Sequence, residues 1–85
     1  MAAYETKALA AVQVGKVEHV EIIFNGEPRE IADGTTIAGL LAELELPSRQ
    51  VAVEVNLQLV PRARHGEHQL HPGDRLEVVT LVGGG

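Results

Sequence analysis

Eighty-five residues make one domain, and a domain of this size buries only about two-thirds or less of the surface its unfolded chain exposes. The chain has no cysteine, which excludes disulfides, thiolate metal sites and a cysteine nucleophile, and favours a cytoplasmic setting for so thin a core. Lys and Arg number 7 against 12 Asp and Glu, a formal net charge of -5, and Tyr4 and Phe24 are the whole aromatic complement. That balance excludes nucleic acid as a partner, which calls for basic patches and stacking rings. No apolar run approaches the roughly 18 residues a bilayer span needs, so no membrane is expected.

Residues 1–19 differ in character from the rest of the chain. Tyr4 to Val14 is alanine-rich without a clear apolar face, and Gly15 interrupts it; the stretch reads as a mobile extension or a marginal helix. It has no basic region ahead of its apolar residues, so it is a poor signal peptide. A domain is expected over 20–82. Val20, Ile22 and Phe24 alternate with Glu21, Ile23 and Asn25, the period of a strand. Asn25-Gly26 then supplies a hairpin turn in which both residues take a positive φ, and Glu27 to Ile31 returns as a second strand. After Asp33-Gly34, Thr36 can cap a helix running to about Leu46 and stopped by Pro47. Ile37, Leu40, Leu41 and Leu44 lie at i, i+3, i+4 and i+7, one apolar stripe. Gly39 inside that helix costs about 1 kcal/mol against alanine, which suggests a close packing contact there.

Val51, Val53 and Val55 form a third strand. Asn56 opens a turn, and Leu59-Val60 is a short strand closed by Pro61. Arg62 to Leu70 is polar and irregular, His71-Pro72-Gly73-Asp74 is a turn, and Arg75 to Val82 is the last strand. The order strand, strand, helix, strand, short strand, strand is α+β. One helix must cover one mixed sheet of four to five strands, because each has an apolar face to bury. A β-grasp, ubiquitin-like roll satisfies that order. The expected core is Val20, Ile22, Phe24, Ile37, Leu40, Leu41, Leu44, Val51, Val53, Leu76 and Val78.

Conventional catalytic sets are missing: no serine or threonine sits on a strained elbow beside a base, and no glycine-rich loop joins a strand to a helix. His65, His68 and His71 recur every third residue, but Gly66 and Pro72 interrupt them and no carboxylate completes a tetrahedral set. Solvated loop histidines are the better reading, and no metal is expected. Arg62, Arg64 and Arg75 could form a small basic patch, although charge balance with Glu67, Asp74 and Glu77 accounts for them equally simply. The unusual feature is the ending, Gly83-Gly84-Gly85. Three glycines at a chosen terminus arise by chance at roughly three in ten thousand. Without side chains, such an end can thread a narrow channel and take φ, ψ values closed to other residues. Its carboxylate is inert until another protein activates it, and any sulfur must come from outside. By strand parity Ile23, Val79 and Leu81 point away from the helix, and they are expected to form a docking patch beside the tail.

The stretches VEIIFNGEPREIADGTTIAGLLAEL, VAVEVNLQLVPR and PGDRLEVVTLVGGG resemble the thiamine-biosynthesis sulfur-carrier (ThiS-like) family over residues 20–85. The specific parts are Asn56 with Val60-Pro61-Arg62, the Gly73-Asp74 turn and the terminal Val82-Gly83-Gly84-Gly85. The resemblance implies a β-grasp fold and a protein that is a cosubstrate of partner enzymes rather than an enzyme. It implies that an adenylating enzyme, using ATP and magnesium, converts the Gly85 carboxylate to an acyl-adenylate. A sulfur donor then displaces AMP to leave a thiocarboxylate, and thiazole synthase takes that sulfur. Gly85 is the acceptor, Gly84 its flexible neighbour, and Gly83 extends the reach. The chain itself is expected to bind no cofactor and to be a monomer when free. Residues 1–19 depart from the family's usual short start. Two other readings stand beside this one. A molybdopterin synthase small subunit would share the fold and the thiocarboxylate, but Val-Pro-Arg and the Leu-Val-Gly-Gly-Gly ending fit the thiamine branch better. A ubiquitin-like modifier or interaction module would join its tail to lysines or use no tail chemistry.

Overall fold

The computed structural model describes residues 18–81; the extension up to residue 17, Val82 and the three glycines of the tail lie outside the described residues. Five strands form one sheet in the order β2-β1-β5-β3-β4. They are β1 (His19–Phe24), β2 (Glu27–Ala32), β3 (Val51–Val55), β4 (Gln58–Leu59) and β5 (Arg75–Thr80). The central pair β1 and β5 is parallel, and the other pairings are antiparallel. The first strand begins one residue before the expected domain boundary.

Two short turns fix the hairpin registers. Asn25 and Gly26 have φ of 48° and 87°, the pair of positive values whose twist matches that of the flanking strands. The β3–β4 turn is built the same way from Asn56 (53°) and Leu57 (70°).

Helix α1 (Ile37–Glu43) lies between β2 and β3 in the chain. Thr36 caps it, its side chain accepting from the Gly39 N–H at 3.1 Å. The helix ends short of the expected Leu46, and not because of Pro47. Glu45 takes a φ of 59°, its N–H donates to the Ala42 carbonyl, and the Leu46 N–H reaches back to the Leu41 carbonyl. This is a left-handed cap of the kind glycine usually makes, here made by a glutamate. A Cβ at the exposed Gly39 would meet only Thr36 Oγ1 at 3.4 Å and the Thr35 methyl at 3.7 Å, so the close packing contact expected there is absent.

The apolar stripe of α1 packs on the inward face of the sheet. Ile22, Ile37, Leu40, Leu41, Val51, Val53 and Leu76 are buried, with Val20, Phe24, Leu44 and Val78 packed against them. All eleven expected core residues are therefore in or against the core. Ile31, Val55, Val60 and Leu70 complete it.

The segment after β4 is more than a polar connection. Arg62–Arg64 forms a 3₁₀ turn, η2. The carbonyls of His65 and His68 then receive the N–H groups of Ala38 (2.9 Å) and Ile37 (3.0 Å). With Thr36 serving Gly39, the first three donors of α1, which no helix can satisfy from within, all have partners. His65 is buried at 3% exposure, against the expectation of a solvated histidine. Its Nε2 donates to the Val60 carbonyl at 3.1 Å, and its Nδ1 has no partner among the described residues. His65 follows directly on η2 as its C-cap, and the bond to Val60 ties the ring back across that turn.

Candidate functional site

Everything the fold does near the C-terminus bears on β5, the strand from which the tail departs. On one side β3 pairs with it from Val51–Thr80 to Val55–Leu76. On the other side β1 pairs only at Ile23–Arg75 and Phe24–Leu76 before turning away at Asn25. The Asn25 side chain replaces the missing backbone: its Oδ1 accepts from the Val78 N–H at 2.8 Å, and its Nδ2 donates to the Val78 carbonyl at 3.3 Å. Asn56 grips the other end of the strand. Its N–H donates to the Arg75 carbonyl at 2.8 Å, and its Oδ1 accepts from the Arg75 N–H at 2.9 Å. Asn56 Nδ2 also holds Asp74 Oδ1, while Asp74 Oδ2 accepts from the His71 N–H, closing the turn that launches β5. Two asparagines from opposite hairpins thus clamp the strand. Beyond them the Leu81 N–H donates to the Gln50 carbonyl at 2.8 Å, which anchors the last described residue to the 3₁₀ turn η1 (Ser48–Gln50).

Val79 and Leu81 stand exposed at this end, at 59% and 58%. Ala52 lies directly opposite Val79 on β3, which widens the apolar surface. Ile23 shares the outward face but not the neighbourhood. It is half-buried beside Arg75, roughly 13 Å of strand from Val79 at 3.3 Å per residue, with Glu77 between them. The outward face also carries two acidic pairs, Glu54 facing Glu77 and Glu21 facing Glu30, an arrangement that costs stability in isolation. Gly83, Gly84 and Gly85 lie outside the described residues.

The three arginines singled out in the sequence are not brought together. Arg64 lines a small recess with Glu67 and His68, and Arg75 sits beside Ile23 on the outward face. Arg62 instead shares an open recess of about 520 Å³ with Arg49, Ser48 and Pro47. Arg49 carried no signal in the sequence, because 13 residues separate it from Arg62 and no periodicity links them. His65, His68 and His71 differ in burial (buried, half-buried and exposed), and among the described residues no three His, Cys, Asp or Glu side chains converge to hold a metal. No described helix is long and apolar enough to cross a membrane.

One helix on a five-stranded mixed sheet with a parallel central pair defines a β-grasp domain. Its fold matches the crystal structure of a thiamine biosynthesis protein (ThiS) from Geobacter metallireducens with a TM-score of 0.68 and 26% identity, covering 78% of this chain and 100% of that one. The model of the ThiS family matches residues 22–85, so the chain belongs to the ThiS family. It is 30% identical over 66 residues to the sulfur carrier protein ThiS of Escherichia coli (strain K12), covering 78% of this chain and all of that one. It is also 41% identical over 66 residues to a thiazole synthase of Paramagnetospirillum magneticum (strain ATCC 700264 / AMB-1), covering 78% of this chain. The chain spans about a fifth of the length of that thiazole synthase (20%).

Proposed function

We propose that this protein is a sulfur carrier whose working atom is the carboxylate of Gly85, and that it delivers sulfur for thiazole formation in thiamine biosynthesis. The observation that carries the proposal is the extent of the family match, which runs through the last glycine, residue 85. The clamped β5 supports it. A strand fixed on both sides and anchored at Leu81 gives the last four residues a defined starting point, with a reach of at most about 14 Å.

In the proposed cycle a partner enzyme binds ATP and magnesium. The Gly85 carboxylate attacks the α-phosphate, pyrophosphate leaves, and an acyl-adenylate forms. Sulfide-level sulfur (HS⁻) released by a donor attacks the acyl carbon, the bond from that carbon to the AMP oxygen breaks as AMP departs with its electron pair, the S–H proton goes to solvent, and the terminus is left as a thiocarboxylate. Transfer of that sulfur to the thiazole precursor, in exchange for an oxygen from water or from a carbonyl of the precursor, restores the carboxylate. This chain supplies reach and presentation; nucleotide chemistry belongs to the partner. Thiazole synthase is the proposed acceptor, supported by the likeness to a segment of a protein of that name. The cycle is assigned to the cytoplasm, in keeping with a cysteine-free chain.

The proposal is tested by comparing the full chain with one lacking Gly84 and Gly85 as substrates of the adenylating enzyme. Pyrophosphate release should be lost in the shortened chain, while its melting temperature stays within about 1 °C, since the last few residues of most domains contribute little stability. Equal pyrophosphate release from both chains would rule out Gly85 as the acceptor.

A further inference from the structure

The role of Arg62 is left open by both the fold and the sulfur chemistry. In the run Val60-Pro61-Arg62, Val60 is buried and Pro61 precedes η2 as its cap, so each has a structural task. Arg62 opens η2 and lines the recess with Arg49, and no carboxylate lines it with them. Two guanidinium groups around one recess repel each other, and a chain of net charge -5 has carboxylates to spare. Glu67 lies with Arg64, and Glu45 lines the adjoining recess, which shares Pro47 and Ser48 with this one. Arg49 directly precedes Gln50, whose carbonyl holds the Leu81 N–H. The recess therefore borders the root of the tail, beside the exposed Val79 and Leu81.

We propose that the Arg49–Arg62 recess receives an acidic side chain of the adenylating enzyme when that enzyme takes up the tail. The inference rests on the sulfur-carrier function proposed above. A guanidinium fork matches a carboxylate with two parallel hydrogen bonds, and the Ser48 hydroxyl adds a third donor to the same recess. The recess is also open, as suits a side chain arriving on another protein's surface. With the acidic pairs of the outward sheet on the other side of the apolar patch, the two charges of opposite sign flanking the tail fix one docking orientation.

The test is titration of the adenylating enzyme with the full chain and with R62A, R49A, R62K and the double variant R49A/R62A, at low and at high salt. Each single alanine change should weaken binding about tenfold at low salt and flatten the salt dependence. R62K should recover only part of the loss, and the double variant should lose less than the product of the singles. Melting temperatures should not move, because both residues are exposed. Unchanged affinity and salt dependence in the double variant would overturn the proposal. So would competition by inorganic phosphate beyond that of chloride at equal ionic strength, which would make the recess a phosphate site. Sulfur loading of the unaltered chain, measured alongside, separates the two ideas: a chain that loads sulfur but ignores both arginine changes defeats only this inference, and a chain that never loads defeats the function.

Discussion

Asn25 serves two purposes at once. Its backbone takes the positive φ of the β1–β2 turn, and its carboxamide fills the place on β5 that the turning chain vacates. Replacing it with glycine separates these tasks, because glycine keeps the backbone conformation and loses the side chain. Asn25→Gly should cost about 1 kcal/mol, the net worth of exposed hydrogen bonds of this kind. It should also raise the amide exchange rate of Val78, whose N–H loses its acceptor, while the N–H at position 25, which still donates to the Leu76 carbonyl, stays protected. Unchanged exchange at Val78 would show that the clamp does not hold in solution. Asn25 was legible as a turn former from its pairing with Gly26. Its bond to a residue 53 positions away was not, since no local pattern encodes a contact that depends on the sheet order.

The elements divide by how local their causes are. The strands were legible because alternation records burial directly, and the α1 stripe because i, i+3, i+4 spacing does the same for a helix. The end of α1 was not, because a glutamate occupies the left-handed position where glycine is the usual sign. The stretch 62–70 was illegible for a deeper reason. Its backbone satisfies the N-terminus of α1 and its side chains His65 and Leu70 enter the core, and both contacts cross from one segment to another. Leu41, at 1% exposure in the middle of the α1 stripe, tests the packing of helix on sheet. Leu41→Ala should cost about 2–5 kcal/mol, a large share of what so small a domain possesses. Chemical denaturation measures it, and a loss below about 0.5 kcal/mol would mean that the helix does not pack as described.

At the scale of the whole molecule, the proposed function makes the domain a holder for one end of the chain. The terminal glycine run stands out in the sequence by its composition alone, and the proposed function gives it a chemical role. For the residues expected to form a docking patch, strand parity named the shared outward face, but only the sheet register places Ile23 beside Arg75 and away from Val79. Leu81→Asp should weaken binding of the adenylating enzyme by about tenfold or more, as expected for an apolar contact near the centre of an interface. The fold should persist, because the side chain is largely exposed and its backbone bond to Gln50 remains. Unchanged affinity in a titration would remove Leu81 from the interface.

The central claim is that sulfur replaces oxygen at the last carboxylate, and intact-protein mass spectrometry reads that change directly. After incubation with ATP, magnesium, the adenylating enzyme and a sulfur source, the chain should gain about 16 Da, one sulfur for one oxygen at the activated carbonyl. Fragmentation should place the gain on Gly85. No gain, or a gain located on any other residue, would contradict the account.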